Sequence, residues 1–190
     1  MVERGFDAPT LAAQRVFRTL LTALSEPGRV LPLAPCCAPP TALDPAAAAL
    51  VLALADGDTP LWLDPTLGEA AEFLRFHTGA PVVASPGEAL FLVATAGDRP
   101  PLGALQPGSA EYPDRSATLI LAVSALGEGQ GWRLSGPGIA GTRRCAVSGL
   151  DARFVGEWQA NHGRFPLGVD VVLAARDRIA GLPRSTQLEA

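Results

Sequence analysis

The chain has 190 residues, of which 48% are hydrophobic and 18% are charged, so intrinsic disorder is excluded and a folded globular protein is expected. The net charge of −4 gives no reason to expect nucleic acid or an anionic membrane as a partner. All 15 basic residues are arginine, so the chain has no lysine for a Schiff base to pyridoxal phosphate, and we expect no such cofactor.

The first predicted element is an amphipathic helix in "TLAAQRVFRTLLTALSEPG". Apolar side chains recur there at steps of three and four residues, at Leu11, Val16, Phe17, Leu20, Leu21 and Leu24. We expect Thr10 to cap this helix and "SEPG" to end it. A short extended segment, "RVLPL", follows.

Two further helices are predicted by an aspartate followed by proline, which is typical of a helix start. Asp44 and Pro45 begin "DPAAAALVLALAD", and Asp64 and Pro65 begin "DPTLGEAAEFLRFHTGAP". The apolar "TPLWL" between them is expected to form a buried strand. Asp151 is expected to cap a fourth helix in "DARFVGEWQANHG".

After residue 80 the pattern changes to short β-rich runs bounded by Gly and Pro. These predicted strands are "PVVAS", "ALFLVAT", "ATLILAVSAL", "WRLSG" and "VDVVLAAR". Alternating helices and buried strands predict an α/β fold, a three-layer αβα arrangement with a mixed sheet, in a single domain over 1–190. A hairpin-like pattern over 118–135 is the reason for expecting a mixed sheet, and 96–117 is the longest irregular segment.

Gly136 and Gly138 lie in "LSGPGIAGTRRC", close to two arginines. The spacing is not that of a phosphate-binding loop, so a tight turn between strands is the favoured interpretation. An anion site built from backbone N–H groups and arginine is the alternative.

Arg75, His77 and Thr78 follow one another near a predicted helix C-terminus, where a cation interacts favourably with the helix dipole. The chain has two histidines and no metal-binding motif, so no metal site is expected. Cys36 and Cys37 are expected to be packing residues, since neither a disulfide framework nor a reactive-cysteine motif is present. The start of the chain does not resemble a signal peptide and no apolar run is long enough to span a bilayer, so we expect no membrane contact and a cytoplasmic location.

Asp170 is a carboxylate set into an apolar strand, "RFPLGVDVVLAAR". A buried unpaired carboxylate costs several kcal/mol, on the order of the penalty for any buried charge, so it needs a partner. The turn "GLPRST" presents Arg184 and Thr186 nearby. A structural ion pair is the favoured interpretation, and half of a polar ligand pocket is the alternative.

Seven segments in order closely resemble the PhnH family, subunits of the bacterial carbon–phosphorus lyase system. They are "QRVFRTLLTALSEPG", "LADGDTPLWL", "LRFHTGAP", "TLILAVSAL", "LSGPGI", "FPLGVDVVL" and "LPRST". The resemblance runs from about residue 6 to residue 189 and is weakest over 96–117.

The resemblance implies a fold similar to pyridoxal-phosphate-dependent transferases without the cofactor, a homodimer, and a core complex with PhnG, PhnI and PhnJ. With PhnL, subunits of this kind support displacement of adenine from ATP by an alkylphosphonate. Three roles stay open: a scaffold subunit without a ligand site, a contributor to a shared site that contacts ATP or phosphonate, or an independent transferase-like enzyme. For the second role, the candidate anion-binding residues are Arg75, His77, Thr78, Asp170, Arg184 and Thr186.

Overall fold

The structure is a computed structural model that describes residues 3–190. Its helices are α1 Pro9–Ser25, α2 Pro45–Leu54, α3 Ala70–Thr78 and α4 Arg153–His162. Its strands are β1 Leu31–Pro32, β2 Leu61–Leu63, β3 Phe91–Thr95, β4 Thr118–Ala122, β5 Ala125–Ser135, β6 Arg143–Ser148, β7 Asp170–Ala175, β8 Arg178–Leu182 and β9 Gln187–Glu189.

The main sheet has six strands in the order β1-β8-β7-β4-β3-β2. Strands β2, β3, β4 and β7 are parallel, and they are the continuous apolar runs of the sequence because both faces of a parallel sheet are covered. Strand β8 is antiparallel to β7 and to β1. The prediction of an α/β fold with a mixed sheet is confirmed.

The predicted hairpin over 118–135 is wrong. Strand β4 pairs with β3 and β7, whereas β5 belongs to a second sheet with the order β6-β5-β9. The chain changes sheets between them: Val123 N–H donates to the main sheet at Ala174, and Ser124 N–H donates to Ser148 at the end of β6. The antiparallel pairs come instead from β5 with β6 and from the C-terminal hairpin of β7 and β8.

Each face of the main sheet carries its own apolar core. Helices α1, α2 and α3 cover one face, and α4 covers the other together with the second sheet. Helix α1 approaches β8 so closely that a Cβ on Gly181 would overlap the main-chain oxygen of Ala23, so this position requires glycine. The outer layers are therefore helical on one face and mixed on the other.

The local start signals were correct for α2 and misplaced for the other helices. Asp44 Oδ1 accepts hydrogen bonds from the N–H groups of Ala46 and Ala47, as predicted. Thr10 lies inside α1, whose N-cap is Ala8, because Pro9 already takes the first helical position. Asp64 caps only the 3-10 turn Pro65–Leu67, and α3 begins later.

Smaller corrections concern Asp151 and the strands. Ala152, not Asp151, is the N-cap of α4, although an Asp151 oxygen accepts a 3.3 Å hydrogen bond from Phe154 N–H. The predicted strand "PVVAS" forms only a single bridge between Val82 and Leu61. Strands β6, β8 and β9 were not predicted, because charged residues and glycine interrupt their apolar pattern.

Candidate functional site

Asp170 and Arg184 meet at the amino-terminal edge of the main sheet. Asp170 begins β7, and the pairing of Val171 with Leu182 returns the chain past it. Arg184 Nη2 donates to Asp170 Oδ2 over 2.6 Å, and Arg184 Nε and main-chain N–H donate to Oδ1 over 3.1 and 2.8 Å. Arg184 Nη1 also donates to the carbonyl of Pro113 over 2.7 Å. One ion pair thus joins three segments of the chain.

Helix α4 holds the turn that follows β8. His162 Nδ1 lies 2.9 Å from the carbonyl oxygen of Arg184, and Trp158 Nε1 donates to the carbonyl of Thr186 over 2.9 Å. Thr186 is fully buried, and its hydroxyl has no hydrogen-bond partner among residues 3–190. We call Asp170, His162, Arg184 and Thr186 the amino-edge cluster.

The amino-edge cluster has the geometry of a structural clamp. The side chains of Arg184 and Asp170 are only 14% and 22% exposed, so their mutual hydrogen bonds must offset lost hydration. Each nitrogen of the guanidinium already donates to a protein oxygen. A ligand would have to displace one of these bonds, so the geometry favours the structural interpretation over half of a polar pocket.

The second predicted group, Arg75, His77 and Thr78, lies apart from this cluster. It ends α3, beside the start of β2, and strands β3 and β4 separate β2 from β7. At about 4.8 Å per strand, β2 lies on the order of 14 Å from β7, so the two groups lie at separate places on the sheet. Thr78 Oγ1 donates to the carbonyl of Leu74 over 2.7 Å, and His77 Nε2 lies 2.9 Å from the carbonyl oxygen of Glu3. Arg75 is exposed.

Gly136 and Gly138 lie in the turn between β5 and β6. A Cβ on Gly138 would overlap the main-chain oxygen of Ser25 at the end of α1. The nearby Arg143 donates through Nη1 to the carbonyls of Glu26 and Pro27 over 2.9 and 2.8 Å. The arginine and the close approach of the turn therefore fix α1 against the second sheet.

The carboxyl-terminal edge of the main sheet carries a buried carboxylate whose second role the sequence did not indicate. Besides Thr66, which donates through N–H and Oγ1, Asp64 accepts hydrogen bonds from the N–H and Oγ1 of Thr95 over 3.1 and 2.8 Å. Burial by itself raises the pKa of Asp64, but these hydrogen bonds outweigh it and leave the pKa below its usual value. Asp64 thereby joins the ends of β2 and β3.

Two cavities stand out among the described residues. The larger, of about 870 Å³, lies between the N-terminal segment and α3, with Phe76 and His77 in its wall. The smaller, of about 500 Å³, lies at the carboxyl-terminal edge of the main sheet, and Val93, Ala122 and Arg176 contribute to its lining. We call it the carboxyl-edge cavity. Sequence reasoning did not single out Arg176, because its place in the tight turn between β7 and β8 depends on the tertiary fold.

The cysteines have the properties of packing residues. Burial raises the pKa of Cys36, and burial together with Cys36 raises the pKa of Cys37 to about 12. Burial and the neighbouring Glu128 raise the pKa of Cys145 to about 11. Residues 3–190 contain no cluster of three or more His, Cys, Asp or Glu side chains arranged to hold a metal ion. In the same range, no helix combines the length and apolarity needed to cross a membrane.

Helix α1 has an apolar stripe on each of two faces. Its inner stripe, which includes Val16 and Leu20, is buried against the core. Leu11, Phe17 and Leu21 point away from the core and are 62%, 45% and 50% exposed. Large exposed apolar side chains on one face are typical of an interaction surface. We call these three residues the outer α1 stripe.

Comparison with known proteins finds matches along almost the whole chain. Residues 4–189 match the family described as "Bacterial phosphonate metabolism protein (PhnH)". "Alpha-D-ribose 1-methylphosphonate 5-triphosphate synthase subunit PhnH" of Rhizobium meliloti (strain 1021) is 41% identical over 188 residues, 97% of this chain and 94% of that protein. "Putative C-P lyase subunit protein HtxG" of Stutzerimonas stutzeri is 38% identical over 181 residues, 92% of this chain and 85% of that protein.

Proposed function

The chain belongs to the PhnH family of bacterial phosphonate metabolism proteins, and on that premise we propose that it is a subunit of a carbon–phosphorus lyase complex that forms an alkylphosphonate ribose 5-triphosphate from ATP and alkylphosphonate. The observation that carries the proposal is the 41% identity over 97% of the chain to a protein named as a subunit of such a synthase. The second relative is also named as a subunit.

Within that complex we infer that the chain has a structural role and does not catalyse adenine release by itself. The outer α1 stripe supports this role, because it exposes large apolar side chains that lie outside the core. The amino-edge cluster also supports it, because its carboxylate and guanidinium hold each other. The partners are PhnG, PhnI and PhnJ, and the chain alone forms a homodimer.

Reconstitution of adenine release tests this function. The purified chain incubated with ATP and methylphosphonate is expected to release no adenine, whereas the chain combined with PhnG, PhnI and PhnL is expected to release it. Omitting the chain from that mixture should abolish the activity. Release by the chain alone would show an independent enzyme, and unchanged release without the chain would show that it is not a required subunit.

A matched pair of variants tests the outer α1 stripe. Phe17→Gln combined with Leu21→Gln keeps residues with good helix propensity and removes the apolar surface. We expect the variant to fold with an unchanged unfolding midpoint and to bind PhnG and PhnI at least tenfold more weakly, measured by co-purification and light scattering. Phe165→Gln removes an aromatic side chain that is 60% exposed elsewhere and serves as the control. Equal assembly of both variants would contradict the assignment.

A further inference from the structure

Arg176 differs from the other described arginines in its backbone conformation. Its φ is +57°, the only positive φ of a non-glycine residue within residues 3–190, and L side chains rarely adopt it. Its main-chain N–H donates to Asp44 Oδ2 over 2.7 Å, so the turn is held by the cap of α2. Its guanidinium is exposed and makes no hydrogen bond or ion pair in the same range. The main chain at Arg176 is thus held in place, and its guanidinium is free to bind a ligand.

The position of this cation is where α/β sheets bind ligands. In open α/β sheets, ligands lie outside the carboxyl ends of the parallel strands. The connection after β2 leads to α3 on one face, represented by Phe73, and the connection after β3 leads to the other face, represented by Leu102. The carboxyl-edge cavity lies on the face that α3 covers, and Leu67 from the first connection and Val93 of β3 contribute to its lining.

The lining of the carboxyl-edge cavity is mostly apolar. Two prolines of the segment before α2 and Pro45 at its start contribute, together with Leu67, Val93 and Ala122. Asp44 also lies there, but one of its oxygens accepts from two N–H groups of α2 and the other from the N–H of Arg176. The carboxylate is therefore occupied by the backbone, and Arg176 supplies the free charge. At about 500 Å³ the cavity has the size of a small-molecule site.

We propose that the carboxyl-edge cavity binds a small organic oxyanion with an apolar group, specifically an alkylphosphonate. The guanidinium of Arg176 binds the head-group oxygens two at a time, and the alkyl group lies against Leu67 and Ala122. One cation beside a carboxylate matches a head group of low charge better than a triphosphate. The choice of phosphonate over carboxylate rests on the proposed function. The size, polarity and charge of the site are observed independently of that function.

The site is tested by titrating the purified full chain with butylphosphonate, methylphosphonate, inorganic phosphate and butyrate. Binding is measured by calorimetry and NMR. We expect butylphosphonate to bind most tightly, with affinity falling about fourfold for each methylene removed, and inorganic phosphate to bind most weakly. Arg176→Gly should weaken butylphosphonate binding at least tenfold. Because glycine adopts a positive φ without strain, this variant should keep or raise the unfolding midpoint. Arg178→Ala removes a charge from the same hairpin and should leave binding within about twofold of the original.

Several results would overturn the proposal. Undetectable binding of butylphosphonate at millimolar concentration, unchanged affinity of Arg176→Gly, or equal affinity for inorganic phosphate would each do so. Equal affinity for butyrate would remove the assignment to phosphonates. Ala122→Leu, which fills the cavity from β4, is the second variant and should also weaken butylphosphonate binding. Assembly and adenine release are measured separately: a chain that assembles but binds nothing refutes this site alone, and one that binds but does not assemble refutes the proposed subunit role alone.

Discussion

Replacing Arg184 with alanine distinguishes a structural clamp from a ligand site at the amino-edge cluster. The substitution removes two hydrogen bonds to Asp170 and one to the carbonyl of Pro113. Breaking a fully buried pair costs about 3–5 kcal/mol and breaking an exposed pair about 0–1 kcal/mol. Side-chain exposures of 14% and 22% place this pair between those limits, and the main-chain N–H at 184 still donates to Asp170. We therefore expect a loss of about 2–3 kcal/mol.

Urea unfolding monitored by far-UV circular dichroism measures this loss. In a chain of this size, the loss corresponds to a thermal unfolding midpoint lowered by about 4–12 °C. Arg133→Ala is the control, because the Arg133–Glu189 pair has side chains 50% and 58% exposed and should cost at most about 1 kcal/mol. The double variant Asp170→Ala with Arg184→Ala should be less destabilised than the sum of the singles. A loss below about 0.5 kcal/mol, combined with abolished adenine release by an intact complex, would refute the structural interpretation and assign Arg184 to a ligand.

Three other substitutions test the remaining polar and close contacts. Because the fold lowers the pKa of Asp64, its ionisation stabilises the protein above the usual Asp pKa of 3.8, and this contribution is lost as the pH falls through the lower folded pKa. The difference in urea midpoint between the original chain and Asp64→Asn should therefore shrink between about pH 7 and pH 3. A constant difference would contradict the assignment. Gly138→Ala should destabilise the protein by at least about 3 kcal/mol, because the new Cβ would overlap the main chain of α1. Gly141 has a similar φ and nothing within 4 Å of an added Cβ, so Gly141→Ala is the control and should cost about 1 kcal/mol. Equal losses would show that α1 can move away. Asn161→Ala should cost about 2–4 kcal/mol in urea unfolding, because it leaves a buried N–H and a buried carbonyl of Val169 without partners, and a loss under about 1 kcal/mol would show that water replaces them.

The sequence was most informative where a local rule and the tertiary fold agree. Asp44 and Pro45 begin α2 as predicted, because a cap needs only residues two and three positions along the chain. The parallel strands were found because burial on both faces makes them continuously apolar. The Asp170–Arg184 pair was also predictable, since an apolar strand with one carboxylate needs a partner and the next turn offered one.

The misses arise where a residue serves a distant contact. Strand β8 contains Gly181, which weakens a strand pattern but permits the close approach of α1. The hairpin predicted over 118–135 failed because Ser124 pairs with the end of β6, a contact that no local pattern shows. Arg176 carries no signal at all in the sequence, because arginine is not a residue that predicts a positive φ.

The two edges of the main sheet differ in how their polar groups are used, and this difference argues for where a ligand binds. At the amino-terminal edge, the guanidinium of Arg184 is neutralised and hydrogen-bonded by the protein, so binding there would first require breaking a desolvated ion pair. At the carboxyl-terminal edge, Asp64 and Asp44 are likewise occupied by donors of the fold. The guanidinium of Arg176 has no such partner within residues 3–190, and it borders a cavity with apolar walls. A ligand binding there would gain a charge-assisted hydrogen bond without the cost of breaking one within the protein, which makes that edge the better position for a binding site.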